Sequence, residues 1–215
     1  MILLAHDFTD ERVLIVGGGA VGQRRARTFA TEATVIVLSP TFVSGSFGGA
    51  ERIRCRPTPS TIESWIERVA PALVVAATDD PSVNDAIDAA VAETSVLCNR
   101  ADRSTGTDRT VGDVTIPSMI RDEPVVVGIS SGANSPALSR TLRKKIEPTI
   151  EGAGALATIL GSQRERLADE SPADRRQALR AVVSSDRVWK TLGDPHSNTA
   201  HVVSETIARA LGETK

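Results

Sequence analysis

Short, continuously apolar runs alternate with segments of helical spacing through the first half of the chain. Residues 12–16, 34–38, 53–55, 73–77 and 96–98 read as buried strands, and the spacing predicts helices over 23–30, 60–69 and 81–92. Strands apolar on both faces belong to a parallel sheet covered by helices on each side, with ligands at the carboxyl ends of the strands. A polar, turn-rich stretch over 104–113 reads as the loop that closes this domain. Two further apolar runs, 114–116 and 125–129, with Asp122-Glu-Pro124 as the turn, predict an added β-hairpin. Ser135 and Pro136 then open a helix running to about Glu147, with Leu138, Leu142 and Ile146 on one apolar face and Pro148 at its end. The remainder is helical in pattern, with a start signal at Ser171-Pro-Ala-Asp174, a break at Gly193-Asp-Pro195 and a last helix carrying Val202, Val203, Ile207 and Leu211. The expectation is an α/β protein in three parts: a nucleotide-binding parallel sheet over 1–113, a hairpin and helix over 114–148, and a helical domain over 149–215.

The junction after the first strand carries the sharpest chemistry. Arg12-Val-Leu-Ile-Val16 runs straight into Gly17-Gly-Gly-Ala-Val-Gly22, a strand, a Gly-x-Gly-x-x-Gly turn and a helix start. Gly17 serves the tight turn, Gly19 lets a pyrophosphate approach the backbone, and Gly22 allows close packing of the helix. Ala20 and Val21 contribute N–H groups at the positive end of the helix. The expected ligand is a dinucleotide. The second strand ends at Ser39-Pro40, where an acid would hold the ribose hydroxyls, and no Arg adjoins Ser39 in the sequence, so the residues themselves do not choose between NAD and NADP.

Composition adds exclusions rather than assignments. A 40% hydrophobic content over 215 residues supplies a core, and a net charge of −2 gives no electrostatic case for nucleic acid or an anionic membrane surface. No run reaches the roughly 20 apolar residues that span a bilayer, and the N-terminus lacks the pattern of a signal peptide, so the expected location is the cytoplasm. Cys55 and Cys98 lie in strand-like runs and read as buried thiols, while His6, His196 and His201 are too scattered to suggest a metal site.

Five ordered motifs resemble the precorrin-2 dehydrogenase or siroheme synthase N-terminal family. They are Gly17-Gly-Gly-Ala-Val-Gly-Gln-Arg-Arg25, Ala76-Ala-Thr-Asp-Asp80 with Asn84, Cys98-Asn-Arg-Ala-Asp102, Ile116-Pro-Ser-Met-Ile120, and Ile129-Ser-Ser-Gly-Ala-Asn-Ser-Pro-Ala-Leu-Ser-Arg140. The resemblance implies a Rossmann-like fold and NAD-dependent oxidation of precorrin-2 to sirohydrochlorin. In some members it also implies insertion of ferrous iron, and it implies a homodimer joined through the hairpin and helical region. Such an oxidation sends a hydride to the nicotinamide and a proton to a base. Asp102, just past a strand's carboxyl end, is the candidate base and matches the family's acid/base aspartate. Thr78 and Asp79 are candidate cofactor contacts, with Asp80 reading as a helix cap. Asn99, Ser131 and Ser135 are candidate substrate contacts, Ser131 matching a serine of the family's substrate pocket. Arg100, Arg103, Arg109, Arg121 and Arg140 are candidate partners for the substrate's carboxylates. The rival reading is an NAD-sensing regulatory module that binds the cofactor without turnover.

Overall fold

The computed structural model describes residues 2–103, 112–132, 135–192 and 197–212. The chain divides into two compact units, the first running to Ile116 and the second comprising Pro117–Ser131 and the chain from Ser135 on.

In the first unit, β1 (Arg12–Val16), β2 (Thr34–Ser39), β3 (Glu51–Arg54), β4 (Leu73–Ala76) and β5 (Leu97–Arg100) form one parallel sheet in the order β3-β2-β1-β4-β5. On one face Val13, Ile15, Val35, Val37, Leu73 and Val75 pack with Ala26 and Phe29 of α1 (Ala20–Phe29). On the other, Leu14, Val16, Ile36, Leu38, Val74 and Ala76 pack with Ile62 and Ile66 of α2 (Pro59–Val69) and Ile87 of α3 (Pro81–Val91). Burial on both faces is why these strands show no polar alternation in the sequence. The chain moves outward from β1 to β3 and then returns to β4, so a crevice opens at the carboxyl ends of β1 and β4, where sheets of this kind take their ligands.

Helix α1 begins at Ala20, three residues before the predicted 23–30 segment, because the turn delivers the chain into helical conformation at its N-cap, Gly19. The expected hairpin also needs correction. Residues 114–116 are not its first strand: Val114 donates its N–H to the Cys98 carbonyl, Asp113 bridges Cys98, and Val114 and Ile116 pack on the α1-side core. The first strand is instead β6 (Ser118–Asp122), paired antiparallel with β7 (Val125–Ile129) so that Asp122 opposes Val125. A two-residue connection at Glu123-Pro124 closes a hairpin more directly than the eight-residue loop the other pairing demands.

The second unit contains this hairpin, α4 (Pro136–Ile146), α5 (Ala153–Arg166), α6 (Pro172–Val183), α7 (Asp186–Trp189) and α8 (Thr199–Ala210). Leu156, Ala178, Val182, Val188, Val202, Val203 and Ile207 form its core. Ser135 and Ser171 cap α4 and α6 as the sequence indicated, while Gly193-Asp-Pro195 lies outside the described residues. Helix α5 seats its first turn on the hairpin turn: Gly154 donates to the Asp122 carboxylate at 3.1 Å, and a Cβ there would lie 2.2 Å from the Glu123 carbonyl oxygen. Helix α4 buries none of its residues, and Leu138, Leu142 and Val126 are exposed. Each unit holds one tryptophan. Trp65 packs beside the sheet under the Arg68 guanidinium, and Trp189 donates its indole N–H to the Val183 carbonyl. No helix among the described residues is long and apolar enough to cross a membrane.

Both thiols are free. Burial, reinforced by Asp88, pushes the Cys98 thiol up to about 12, and burial also raises half-buried Cys55. Since the thiolate is the reactive form, a disulfide reagent at pH near 8 is expected to titrate Cys55 alone in the native protein and both thiols after denaturation. Rapid native labelling of Cys98 would contradict this account.

Candidate active site

The glycines of the first turn are required for different reasons. Gly17 has φ +125°, and a Cβ there would meet the Ala77 carbonyl oxygen at 2.2 Å. At Gly22 a Cβ would lie 1.9 Å from the Gly17 carbonyl oxygen, and at Gly18 it would lie 2.4 Å from the Thr41 carbonyl oxygen and 2.8 Å from the Ser39 Cβ. Gly19 differs from all three. Its backbone is ordinary extended structure, and a Cβ there would meet nothing within 4 Å among the described residues. Neither conformation nor protein packing asks for glycine at that position, and the open space lies at the start of α1. That helix has no side-chain cap and no acid in its first turn, so Ala20 and Val21 begin a positive helix end suited to phosphate. The residues fit a dinucleotide pyrophosphate. Ser39, the last residue of β2, is buried beside the loop.

At the end of β4, Thr78 donates its hydroxyl to Asn84 Oδ1 at 2.7 Å, and Asn84 returns its amide to the Thr78 carbonyl at 3.0 Å and to Asp102 Oδ2 at 3.2 Å. Asn84 is 1% exposed, so this amide is a fixed link from the end of β4 to the end of β5. The sequence marks Asn84 as part of a family motif but assigns it no role. Asp79 is exposed, and Asp80 caps α3 by accepting from the Ser82 N–H and hydroxyl.

Asp102 is held by a two-pronged contact from Arg100, Nε to Oδ1 at 2.8 Å and a terminal nitrogen to Oδ2 at 2.7 Å. These charge-assisted bonds bring its carboxyl down to about 2, with burial opposing and Asn84 assisting. Arg100 also pairs with Asp88, and with Asp85 at 2.9 Å, and its side chain is only 7% exposed. Arg103 pairs with the same two aspartates. Arg100 and Arg103 are therefore already neutralised rather than standing free for a substrate. Arg121 pairs with Glu123, Arg140 is exposed, and Arg109 lies outside the described residues.

Asn99 is buried, donates to the Val114 carbonyl at 2.8 Å, and its buried Oδ1 has no partner among the described residues. In the second unit, Ser131 donates to the Ser135 carbonyl and accepts from the Ser139 hydroxyl, each at 2.9 Å, while the Ser135 hydroxyl caps α4. On α1, burial and the neighbouring Arg24 bring Arg25 down to about 10, and its buried Nε has no partner among the described residues. One cluster was missed in the sequence because its members lie on separate segments: ligand atoms of Asp88, Cys98 and Asp113 come within 4.8 Å of one another. It fits a metal poorly, since Asp88 is already held by two guanidinium groups and Cys98 keeps its proton and donates it to Asp88.

A reversing parallel sheet with this glycine turn and an open helix start defines a dinucleotide-binding α/β domain. The chain belongs to the family described as putative NAD(P)-binding, whose model matches residues 4–118, and its cofactor is NAD. Its relatives are those the motifs suggested. A precorrin-2 dehydrogenase of Methanosarcina barkeri (strain Fusaro / DSM 804) is 29% identical over 92% of this chain and 89% of its own length. Siroheme synthase 1 of Aeromonas salmonicida (strain A449) is 31% identical over 91% of this chain, which spans 41% of that protein. Among solved structures, SirC, a precorrin-2 dehydrogenase, superposes with a TM-score of 0.70 at 19% identity, covering 97% of this chain and all of its own, so the fold is shared.

Two substitutions separate packing from ligand space in the glycine turn. Gly22→Ala is expected to cost about 3 kcal/mol or more, the upper end of the overpacking range, because it drives a methyl into backbone. Gly19→Ala is expected to cost about 1 kcal/mol or less in thermal melts and yet to weaken dinucleotide binding in a fluorescence titration. Equal loss of stability in both would overturn the assignment of Gly19 to the ligand. A further test concerns acid stability. The Asp102 carboxyl lies below its ordinary value of 3.8, so its contribution is present above about pH 4 and is lost as pH falls towards about 2. Asp102→Asn is expected to flatten the stability curve in that window, and an unchanged acid limb would show that the Arg100 contact is absent in solution.

Proposed function

We propose that the chain oxidises precorrin-2 to sirohydrochlorin, with NAD as hydride acceptor and Asp102 as proton acceptor. The observation that carries the reading is the link from Thr78 through Asn84 to Asp102 at the carboxyl ends of β4 and β5. It belongs to a chain that aligns almost end to end with a precorrin-2 dehydrogenase. The bound dinucleotide supplies a two-electron acceptor. Gly17, Gly19 and Gly22, with the start of α1, hold its phosphates, while Ser39, Thr78 and Asp79 border it. The substrate gives up a hydride and a proton. Asp102 is ionised throughout the neutral range and takes that proton, and each hydrogen bond Arg100 releases raises its basicity. Its side chain is 34% exposed, which leaves a route for returning the proton to water. Asn99, in β5, is the first unit's candidate substrate contact, and Ser131 and Ser135 are those of the second unit.

Asp102 also accepts pyrrole protons in a second reaction, the insertion of ferrous iron into sirohydrochlorin, the activity suggested by the siroheme synthase relatives. The working unit is a cytoplasmic homodimer. Support for the dimer comes from α4 and β7, whose Leu138, Leu142 and Val126 leave an apolar surface uncovered.

Anaerobic incubation with precorrin-2 and NAD is expected to produce NADH and sirohydrochlorin in equal amounts, followed by absorbance. Asp102→Asn is expected to lower the rate by about a hundredfold or more, the scale of a lost general base. Tight NAD binding with no NADH formed would instead identify a sensing module and end the dehydrogenase reading. Sirohaem formation above the spontaneous rate on adding ferrous iron is expected for wild type and not for Asp102→Asn.

A further inference from the structure

We propose that the adenosine end of this cofactor site accepts a 2′-phosphate through Arg54, so that the protein binds NADPH as well as NADH. In sheets of this topology the carboxyl end of the second strand meets the ribose. An acid there bonds the hydroxyls and repels a phosphate, whereas a nearby arginine accommodates one. The position is taken here by Ser39, whose Cβ borders the glycine turn, 2.8 Å from where a Gly18 Cβ would stand. Residues 39–50 contain no Asp or Glu, so nothing in the segment that follows β2 repels an added phosphate.

The sequence shows no arginine next to Ser39, but the sheet supplies one. Register pairs Ser39 with Arg54 on the adjoining strand, β3. Side chains alternate along a strand, and Ile53 and Cys55 pack into the core on the α2 and α3 face, so Arg52 and Arg54 stand on the α1 face, as Ser39 does. Arg52 shows this directly, with its guanidinium 5.7 and 5.6 Å from the ring centres of Phe42 and Phe47, the latter a member of the α1-side core. Arg52 is thus occupied by aromatic rings, whereas Arg54 is exposed and, among the described residues, pairs with no carboxylate. An exposed arginine in register with the serine at the ribose position favours phosphate over bare hydroxyls.

The inference rests on the dinucleotide lying against the glycine turn and not on the identity of the substrate. Titrations of the intact protein with NADH and with NADPH, followed by nucleotide fluorescence and by calorimetry, test it without turnover. The expected dissociation constants lie within about tenfold of each other, a gap of under about one and a half kcal/mol. Arg54→Gln is expected to weaken NADPH by about tenfold or more while leaving NADH within about twofold, as for loss of one charged hydrogen-bond partner. Ser39→Asp is expected to weaken NADPH by about tenfold more than it weakens NADH, since the added carboxylate repels the 2′-phosphate. NADPH binding more than about tenfold weaker than NADH, or equal weakening of both by Arg54→Gln, would overturn the proposal. Failure of both nucleotides to bind would overturn the placement of the cofactor as well.

Discussion

The close approach of three backbone segments at the end of β1 is the constraint on which the first unit depends. Gly17 lies against the Ala77 carbonyl, Gly22 lies against the Gly17 carbonyl, and Gly18 fits between Ser39 and Thr41. These contacts join β1, β2, β4 and the start of α1 at distances no side chain can occupy. They keep the helix start aimed across the crevice and bring the ends of β2 and β4 to its two sides. Because the contacts are backbone against backbone, the site is set by the sheet and not by loops that could settle elsewhere. Gly19, which touches none of this, is where ligand space begins.

Arg100 organises the opposite wall. Its guanidinium is nearly buried and answers three aspartates, so it offsets charge that would otherwise repel within a few ångströms. Asp102 therefore rests in a low-energy ionised form whose proton affinity depends on how firmly Arg100 holds it. Oδ2 receives both Asn84 and Arg100, and Oδ1 receives Arg100. A proton arriving at Oδ1 displaces the Arg100 Nε bond and leaves the Asn84 contact in place. In this way the amide holds the carboxylate while the guanidinium tunes it.

Much of this fold is legible in the chain itself, since strands buried on both faces and the glycine spacing after β1 leave little freedom. The errors have local causes. Residues 114–116 are apolar enough to read as a hairpin strand, yet they cover the α1-side core, and the true strand, Ser118–Asp122, is masked by its polar and half-buried positions. In the site, Asp102 stands out because it follows a strand end. Asn84 is marked only by the family motif, because an asparagine in a helix carries no spacing signal and its role comes from lying against residues six and eighteen positions away. Arg100 and Arg103 look like free cations along the chain because Asp85 and Asp88 reach them only through the pairing of β4 with β5 and the packing of α3. Arg54 is hidden in the same way, adjacent to Ser39 only across strands.

The two tryptophans have a consequence for observing the molecule. With no tyrosine in the chain, near-ultraviolet emission arises from Trp65 in the first unit and Trp189 in the second. The indoles sit in different surroundings, one beneath a guanidinium and one hydrogen-bonded to a carbonyl. A protein with one of them replaced by phenylalanine becomes an optical gauge for a single unit, so the two complementary replacements follow the melting of the nucleotide-binding sheet and that of the helical unit separately, each within the whole chain.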